Sequence, residues 1–388
     1  MNKLNSIIDF GARNLRLSVF NHKSEIVYSS ILKIDGVSEE KNLEKSLNKL
    51  IRDAEKHLSV HLDDVNILYD TSNFSILDLS IKKSFDQPTI IKKYYNSLLD
   101  EANFIVSENN FKNQVLHIIV NNVIVDEKHR LEIIPEDFKA RSLILEFKFI
   151  CLNKSLIKEI SNTFKKNNLS ISNMYCSSYV KAIYYSKNLE SKKNFIFLDI
   201  GFERSSALIF INNKLIFFNS IPLGGNNITK DISQILKLSI EYSEDLKIRF
   251  NKDENAVSYF KDLSNEKNLY SEISEKKISI NLLKQIIEAR VDEIIELAVN
   301  KDKLFFYGNL LEEMSIIFIG NGSKSFSNSY NLKSKSLFSE MIFFEENDRI
   351  ISEAGFSYNK SEESFFTQIK KKPQKYGIFE SFFNFFAK

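Results

Sequence analysis

The feature that most constrains this chain is a short pattern that occurs twice. In each copy an apolar strand ends at an aspartate, the chain turns at a glycine two residues later, and an alternating strand follows. The copies contain Asp9 with Gly11 and, 190 residues further on, Asp199 with Gly201. A glycine turn lets backbone N–H groups face a phosphate, and an aspartate at a strand end can hold Mg²⁺. Two copies therefore predict a duplicated fold with two lobes around a nucleotide cleft.

The second copy is followed by a hairpin and a pair of glycines. Residues 207–219 alternate around a turn rich in asparagine and predict an apolar hairpin. The pair Gly224 and Gly225 then breaks the strand, and Asn227 or Thr229 is expected to cap the helix that follows.

The composition excludes several classes of function. With 388 residues, of which 43% are hydrophobic, the chain is long enough for two or three domains. Its 53 Lys and Arg against 51 Asp and Glu give a net charge of +2, so nucleic acid is not an expected partner. Two cysteines and five histidines without ligand spacing predict neither a disulfide framework nor a metal cluster. No signal peptide and no run of about 20 apolar residues is found, so we expect neither export nor a bilayer span.

We expect an α/β chain with two lobes and one inserted small domain. From Ser75 to Cys151 the pattern changes to short strands around one helix, which is typical of a separate α+β domain.

Two further features belong to the second lobe. A helix over Asn281–Lys301 has an apolar stripe, with Arg290 and Glu293 placed for an ion pair on its solvated face. A third apolar strand, Ser315–Ile319, runs into the turn Gly320–Gly322, where small residues allow close approach to the backbone.

The end of the chain forms a unit of its own. Residues 359–374 are polar and rich in lysine, which predicts a flexible linker. Residues 375–388 then predict an amphipathic helix with one aromatic face, suited to a membrane surface. The expected membrane residues are Ile378, Phe379, Phe382, Phe383 and Phe386, with Lys371, Lys372 and Lys375 adding attraction to anionic lipid. Docking of this helix on the protein body or in a partner groove is the alternative.

The order of motifs from residue 199 to 247 resembles the FtsA family of bacterial actin-like cell-division proteins. It consists of D-I-G, a hairpin, I-P-x-G-G-x-x-x-T-x-D-I and E-D-L-K. The resemblance extends over nearly the whole chain and implies an actin-like, two-lobed ATPase fold. The boundaries it implies are 1–74 and 152–192 for the first lobe, 75–151 for the inserted domain, 193–349 for the second lobe, and 350–358 for a helix closing the first lobe. It further implies ATP and Mg²⁺ as cofactors, polymerisation into filaments, and tethering of FtsZ filaments to the inner face of the cytoplasmic membrane through the C-terminal tail of FtsZ. Other divisome proteins at the septum are further implied partners.

The resemblance also implies roles for individual residues. Asp9 and Asp199 would lie near Mg²⁺, whereas Arg290 and Lys284 would meet the acidic tail of FtsZ. The implied nucleotide-binding residues are Asp9, Gly11, Ala12, Arg13, Asp199, Gly201, Arg204, Gly224, Gly225, Glu244, Lys247, Gly320, Asn321 and Gly322.

The second phosphate loop departs from the family pattern. Phe202 and Glu203 stand where glycines are usual, and a phenyl ring and a carboxylate oppose the approach of a phosphate. Arg204 could restore a phosphate donor. We therefore expect ATP binding with weak or absent hydrolysis, and a nucleotide-free scaffold stays open as an alternative. An adaptor of a membrane assembly system resembling PilM and a sugar kinase of the same fold stay open as well.

Overall fold

The computed structural model describes residues 4–34, 40–189, 193–252, 280–299, 314–326 and 338–370. The predicted membrane helix and the residues 371–374 before it lie outside these ranges.

The first lobe begins with the predicted hairpin in which an aspartate, Asp9, lies at the end of the first strand. We call this unit an acid-tipped hairpin. Its elements are β1 (Asn5–Phe10), β2 (Asn14–Phe20), β3 (Ile26–Lys33), α1 (Glu40–Leu58) and β4 (Asp64–Tyr69). Strands β1, β2 and β3 form an antiparallel meander, and β4 pairs with β1 in parallel. Because β1 and β2 are almost wholly buried, the first aspartate lies at the end of a strand in the protein interior.

A third sheet follows β4 in the chain. Its elements are β5 (Ser75–Ile90), α2 (Tyr95–Asn109), β6 (Asn113–Val125), β7 (His129–Leu131) and β8 (Lys139–Asn153). The four strands are antiparallel in the order β5-β8-β6-β7. This sheet has its own apolar core around Leu98, Leu143 and Phe147, as expected of a separate domain.

The chain then returns to the first lobe and crosses to the second. The first lobe is completed by α3 (Lys154–Lys165), β9 (Ser170–Cys176) and α4 (Ser177–Ser186). The second lobe contains β10 (Phe195–Ile200), β11 (Ser205–Ile211), β12 (Lys214–Ile221), α5 (Gly225–Leu236), α6 (Ile240–Lys252), α7 (Ile280–Val299), β13 (Ser315–Ile319) and β14 (Glu340–Phe343).

The two lobes share one topology. The first sheet has the order β3-β2-β1-β4-β9, and the second has β12-β11-β10-β13-β14. In both, a three-stranded antiparallel meander is followed by two strands parallel to the first strand of the meander. The repeat of the acid-tipped hairpin in the sequence therefore reflects a repeat of the whole sheet.

The strand β10 is covered on both faces. Ile196 and Leu198 pack toward α5, α6 and α7, whereas Phe195 and Phe197 pack toward α4. Apolar residues at its first four positions, Phe195 to Leu198, are what such double burial requires. The same burial fixes Asp199, the next residue, at the interface of the lobes.

The last helix differs from its prediction. It forms α8 (Asp348–Lys370), so residues 359–370 are helical and not part of a linker. The reason is tertiary contact, since Phe356 stacks on Phe20 with ring centroids 4.1 Å apart and Asn359 accepts a 2.8 Å hydrogen bond from the buried Tyr175. Asn359, which looks like part of a linker in the sequence, is thus held by the first lobe.

The cap of α5 also differs. The helix begins at Gly225, and its N-cap is Gly224 in place of the expected Asn227 or Thr229. The side chain of Asn227 accepts a hydrogen bond of 3.0 Å from the Gly224 N–H, one turn inside the helix. Asn227 therefore stabilises this helix end from the third helical position.

Candidate functional site

A cleft of about 700 Å³ lies between the two lobes. It brings together thirteen of the fourteen nucleotide-binding residues expected from the sequence. These are Asp9, Gly11, Ala12, Arg13, Asp199, Gly201, Arg204, Gly225, Glu244, Lys247, Gly320, Asn321 and Gly322, and Gly224 is the residue that does not line the cleft. The volume is in the range of small-molecule sites.

The two hairpin turns face the cleft, but the N–H groups of their glycines are used inside the turns. Gly11 donates to the carbonyl of Asn14 at 3.1 Å, and Gly201 donates to the carbonyl of Arg204 at 2.8 Å. A ligand would therefore meet the backbone at the next residues of each turn, Ala12 and Phe202, which also line the cleft.

Two glycines are required because other parts of the chain approach them closely. A Cβ atom on Gly224 would lie 2.7 Å from the Arg204 nitrogen and from the carbonyl oxygens of Gly201 and Phe202. Gly320 has φ of +86°, and a Cβ there would lie 2.4 Å from an oxygen of Asp199. Gly224 thus does not line the cleft itself, but its lack of a Cβ atom leaves room for the second hairpin turn, which does.

Asp9 is held by an arginine of the neighbouring strand. The Arg16 guanidinium lies 2.7 Å from Asp9 Oδ2, and Arg16 also pairs with Asp348 at the start of α8. Arg16 is directly opposite Asp9 in the β1/β2 register. Burial lowers the pKa of Arg16, but the carboxylates of Asp9 and Asp348 outweigh burial and raise the pKa overall.

Asp199 is held by a lysine of α4. The Lys181 ammonium lies 2.8 Å from Asp199 Oδ2 and 3.1 Å from an oxygen of Glu346, and all three side chains are buried. Ser178 donates a second hydrogen bond of 2.8 Å to the same Asp199 oxygen. Burial alone would raise the pKa of Asp199, but Lys181 and Arg204 outweigh it and lower the pKa. The carboxylate is therefore charged and internally neutralised.

A third buried carboxylate, Asp70, follows β4 and pairs with Arg204. Asp70 also accepts hydrogen bonds from the Ser178 N–H at 3.0 Å and the Ser178 hydroxyl at 2.9 Å. Burial raises the pKa of Asp70, whereas Arg204 acts to lower it. Arg204, expected from the sequence to face a phosphate, thus already joins the second lobe to the first.

Glu244 and Lys247 of α6 also line the cleft. The Lys247 ammonium contacts Glu244 at 2.7 Å, the Thr229 hydroxyl at 2.8 Å and the Gly225 carbonyl at 2.9 Å. Burial lowers the pKa of Lys247 despite the Glu244 carboxylate. The helix α6 is thereby fixed to the start of α5.

Arg13 connects the first hairpin turn with the second lobe. Its guanidinium lies 3.1 Å from Glu244 Oε1, and 4.9 Å from the ring centroid of Phe202. The aromatic ring that opposes a phosphate in the sequence is therefore a cation–π partner of Arg13.

The carboxylates that the sequence assigns to Mg²⁺ do not form a site that fits this ion. Asp199 is 1% exposed, with one oxygen on Lys181 and Ser178 and the other against Gly320. Asp9 is bound by Arg16, and the described residues contain no group of three or more His, Cys, Asp or Glu placed to hold a metal. Mg²⁺ needs oxygen ligands that also leave room for its water molecules.

The two residues expected to meet FtsZ lie on α7. Arg290 contacts Asp231 at 2.5 Å and also pairs with Glu293, as the ion-pair interpretation of the sequence predicts. Lys284 is more accessible, with 39% of its side chain exposed and Glu288 at 3.8 Å. The expected membrane residues, from Lys371 to Phe386, lie outside the described residues. Among the described helices, none is both apolar and long enough to pass through a bilayer.

Solved structures share this architecture over almost the full chain. The PilM–PilN type IV pilus biogenesis complex matches with a TM-score of 0.60 and 11% identity, covering 92% of this chain and 98% of that one. MreB5 of Spiroplasma citri bound to ADP matches with a TM-score of 0.50 and 11% identity, covering 95% and 99%. The chain has the actin-like ATPase fold. The actin-like cleft described above is the space between its two duplicated sheets.

Sequence comparison relates the second lobe of this actin-like fold to one family. A sequence model described as cell division protein FtsA matches residues 196–353. FtsA of Buchnera aphidicola subsp. Schizaphis graminum is 22% identical over 203 residues, 48% of this chain and 48% of that protein. FtsA of Bacillus subtilis is 26% identical over 192 residues, 47% of this chain and 41% of that protein. The chain thus spans half or less of the length of these relatives, and its similarity to FtsA is shown for that part.

Sequence reasoning missed two cations that pair with the carboxylates of the cleft, Arg16 and Lys181, and one of the carboxylates, Asp70. Asp70 ends a buried strand in the same way as the two predicted aspartates, and this signal could have identified it. Lys181 is the one charged residue in an otherwise apolar and small-residue helix, S-S-Y-V-K-A-I-Y-Y-S, which also marks it as unusual. That Lys181 meets Asp199 is visible only in the structure.

Proposed function

We propose that this chain is an FtsA-like cell-division protein, which binds ATP in the cleft between its lobes, polymerises, and tethers FtsZ filaments to the cytoplasmic membrane. The observation that carries the proposal is the match of residues 196–353 to the FtsA family. This stretch contains one of the two hairpin turns and both Glu244 and Lys247, which form one wall of the cleft. The match therefore includes much of the site.

ATP is the proposed ligand of the cleft. MreB5 of Spiroplasma citri shares the fold and binds ADP in one structure and AMPPNP in another. In this chain Glu244 and Lys247 would contact the ribose and base, and Gly320–Gly322 would lie against the purine. The turns at Ala12 and Phe202 would face the phosphates. Because the carboxylates at the strand ends are paired with cations of the protein, they are poor bases for an attacking water, and the proposed role of ATP is binding and not rapid turnover.

Membrane attachment is the proposed role of residues 375–388. The described helix α8 ends at Lys370, directly before the lysines 371, 372 and 375. The segment would place its apolar face in the lipid and its lysines near anionic headgroups. The protein would then be peripheral, on the cytoplasmic face of the membrane and at the septum.

The FtsZ contact is proposed for the exposed side of α7. Because Arg290 is already engaged by Asp231 and Glu293, Lys284 is the more available cation for an acidic peptide. The test is binding of the full chain to a fluorescent peptide of the FtsZ C-terminal tail. We expect binding that weakens in Lys284→Gln, whereas Lys230→Gln on α5, exposed and of equal charge change, should bind normally. A chain that does not bind the peptide would contradict the proposal.

A second candidate is an adaptor of a membrane assembly system that resembles PilM. The structural match to the PilM–PilN complex, with its TM-score of 0.60 and coverage of both chains above nine tenths, favours it. The two candidates differ in their peptide partner. Binding to a PilN peptide together with failure to bind the FtsZ tail would favour the second candidate.

A further inference from the structure

We propose that the cleft binds the phosphates of its nucleotide without a divalent metal ion, through fixed cations of the protein. The inference rests on the nucleotide binding proposed above and concerns how the charge of the phosphates is balanced. Its basis is that the two aspartates at the strand ends, Asp9 and Asp199, are already paired with Arg16 and Lys181.

Asp199 has little oxygen surface to offer to a metal ion. Its Oδ2 accepts hydrogen bonds from the Lys181 ammonium and from the Ser178 hydroxyl, both at 2.8 Å. Its Oδ1 lies close to Gly320, and a Cβ atom on that glycine would be 2.4 Å from this oxygen. Only 1% of the Asp199 side chain is exposed, which leaves little room for the water molecules that accompany Mg²⁺.

Lys181 cannot be displaced easily, because it serves two carboxylates. The same ammonium contacts Glu346, which is 2% exposed, at 3.1 Å. A metal ion that replaced Lys181 on Asp199 would leave Glu346 buried without its cation, or leave the lysine buried without a carboxylate. The protein cation and the metal ion therefore compete for one place, and the tethered lysine has the advantage.

Asp9 is neutralised in the same way from the other lobe. Arg16 lies 2.7 Å from Asp9 Oδ2 and is itself buried, with Asp348 as its second partner. Asp70, the remaining carboxylate of this region, is paired with Arg204. Each acidic side chain at the strand ends thus has a cation of the protein.

Two further cations remain for an anionic ligand. Lys33 at the end of β3 and Lys324 after β13 line the cleft, one from each lobe, and neither has a carboxylate partner among the described residues. Lys324 donates to the backbone carbonyl of Glu346, which leaves its ammonium able to donate further. Seven cationic and six anionic side chains line the cleft. They are Arg13, Arg16, Lys33, Lys181, Arg204, Lys247 and Lys324 against Asp9, Asp70, Asp199, Glu203, Glu244 and Glu346.

The test is the affinity of the full chain for ATP, measured by calorimetry in excess EDTA and again with Mg²⁺ at about 5 mM. We expect dissociation constants that agree within about twofold. Binding that is about tenfold or more weaker in EDTA would overturn the inference and leave nucleotide binding intact. Binding in neither buffer would overturn both the inference and the nucleotide part of the proposed function. The FtsZ peptide assay is scored separately.

A pair of variants tests the two lysines. Lys33→Gln combined with Lys324→Gln should weaken ATP binding in EDTA by about tenfold or more, because charge-assisted hydrogen bonds to phosphate are lost. The matched control combines Lys187→Gln with Lys230→Gln, both exposed and outside the cleft, and should bind as the unchanged protein does. Equal affinity of the two double variants would overturn the assignment of these lysines. Because the EDTA comparison uses the unchanged protein, it holds even where a variant folds poorly.

Discussion

The Lys181 ammonium lies 2.8 Å from Asp199, and the two residues come from different lobes of the fold. Burial lowers the pKa of Lys181, but Asp199 and Glu346 outweigh it and raise the pKa overall, so the lysine stays charged in the interior. Because the two lobes enclose the cleft, this pair joins them across it by the protein's own charges.

Replacing Lys181 should make the protein easier to unfold. Lys181→Met leaves Asp199 and Glu346 buried without their cation, which is expected to lower the free energy of unfolding by about 3–5 kcal/mol. Urea denaturation followed by circular dichroism measures this. Lys187→Met changes an exposed lysine just after the same helix and should cost less than about 0.5 kcal/mol. Equal losses in both variants would show that Lys181 does not hold the carboxylates.

Two adjacent glycines should respond differently to the same substitution. Gly224→Ala places a Cβ 2.7 Å from three backbone atoms of the second hairpin turn and should destabilise the protein by about 1–3 kcal/mol. At Gly225 the nearest atom to a Cβ is 3.4 Å away, so Gly225→Ala should be neutral or stabilise by up to about 1 kcal/mol. Thermal unfolding of the two variants decides the matter. Similar melting temperatures would contradict the close packing at Gly224.

His117 should make the protein less stable in mild acid. It accepts a 2.8 Å hydrogen bond from the Cys176 N–H at Nε2, so its proton is on Nδ1 and bonds Tyr358 Oη at 2.8 Å. Burial lowers the pKa of His117 from 6.5 to about 3.

The unfolded chain therefore binds a proton at His117 below pH 6.5 that the folded protein does not bind. Its contribution to stability is full above pH 6.5 and decreases on acidification, by up to about 1.4 kcal/mol per pH unit. Urea denaturation between about pH 7 and 5 should show this slope, and His117→Gln should reduce it. His129→Gln, at an exposed position, should keep it. An unchanged slope in His117→Gln would contradict the buried neutral histidine.

Residues 375–388 should be required for binding to lipid. Each of the phenylalanines at 379, 382, 383, 385 and 386 contributes about 1.5–3 kcal/mol when it leaves water. Deletion of the segment should move the protein from sedimented anionic liposomes to the supernatant. Replacing Lys371, Lys372 and Lys375 by Gln should weaken binding to anionic liposomes by about 1 kcal/mol per lysine. Binding to liposomes of neutral lipid should not change. A truncated protein that sediments as the full chain does would contradict the membrane role.

The parts of the site that were easiest to predict are those formed by residues close together in the sequence. The hairpins at Asp9 and Asp199 are local, since the residue that ends the strand and the glycine that turns it are neighbours in the chain. The end of α8 was missed because Asn359 has no local signal for burial and is held by Tyr175, 184 residues away in sequence. The insertion was predicted from a change of pattern that extends over residues 75–151.

The sequence by itself determined the duplicated, acid-tipped hairpins, the inserted domain and the position of the glycine turns, because these follow from periodicity and from the backbone freedom of single residues. Only the tertiary structure decided the electrostatics of the cleft. A carboxylate can be read from the chain as a metal ligand, but whether it meets a metal ion or a buried lysine depends on which side chain packing brings within hydrogen-bond distance. At Asp199 that side chain is Lys181.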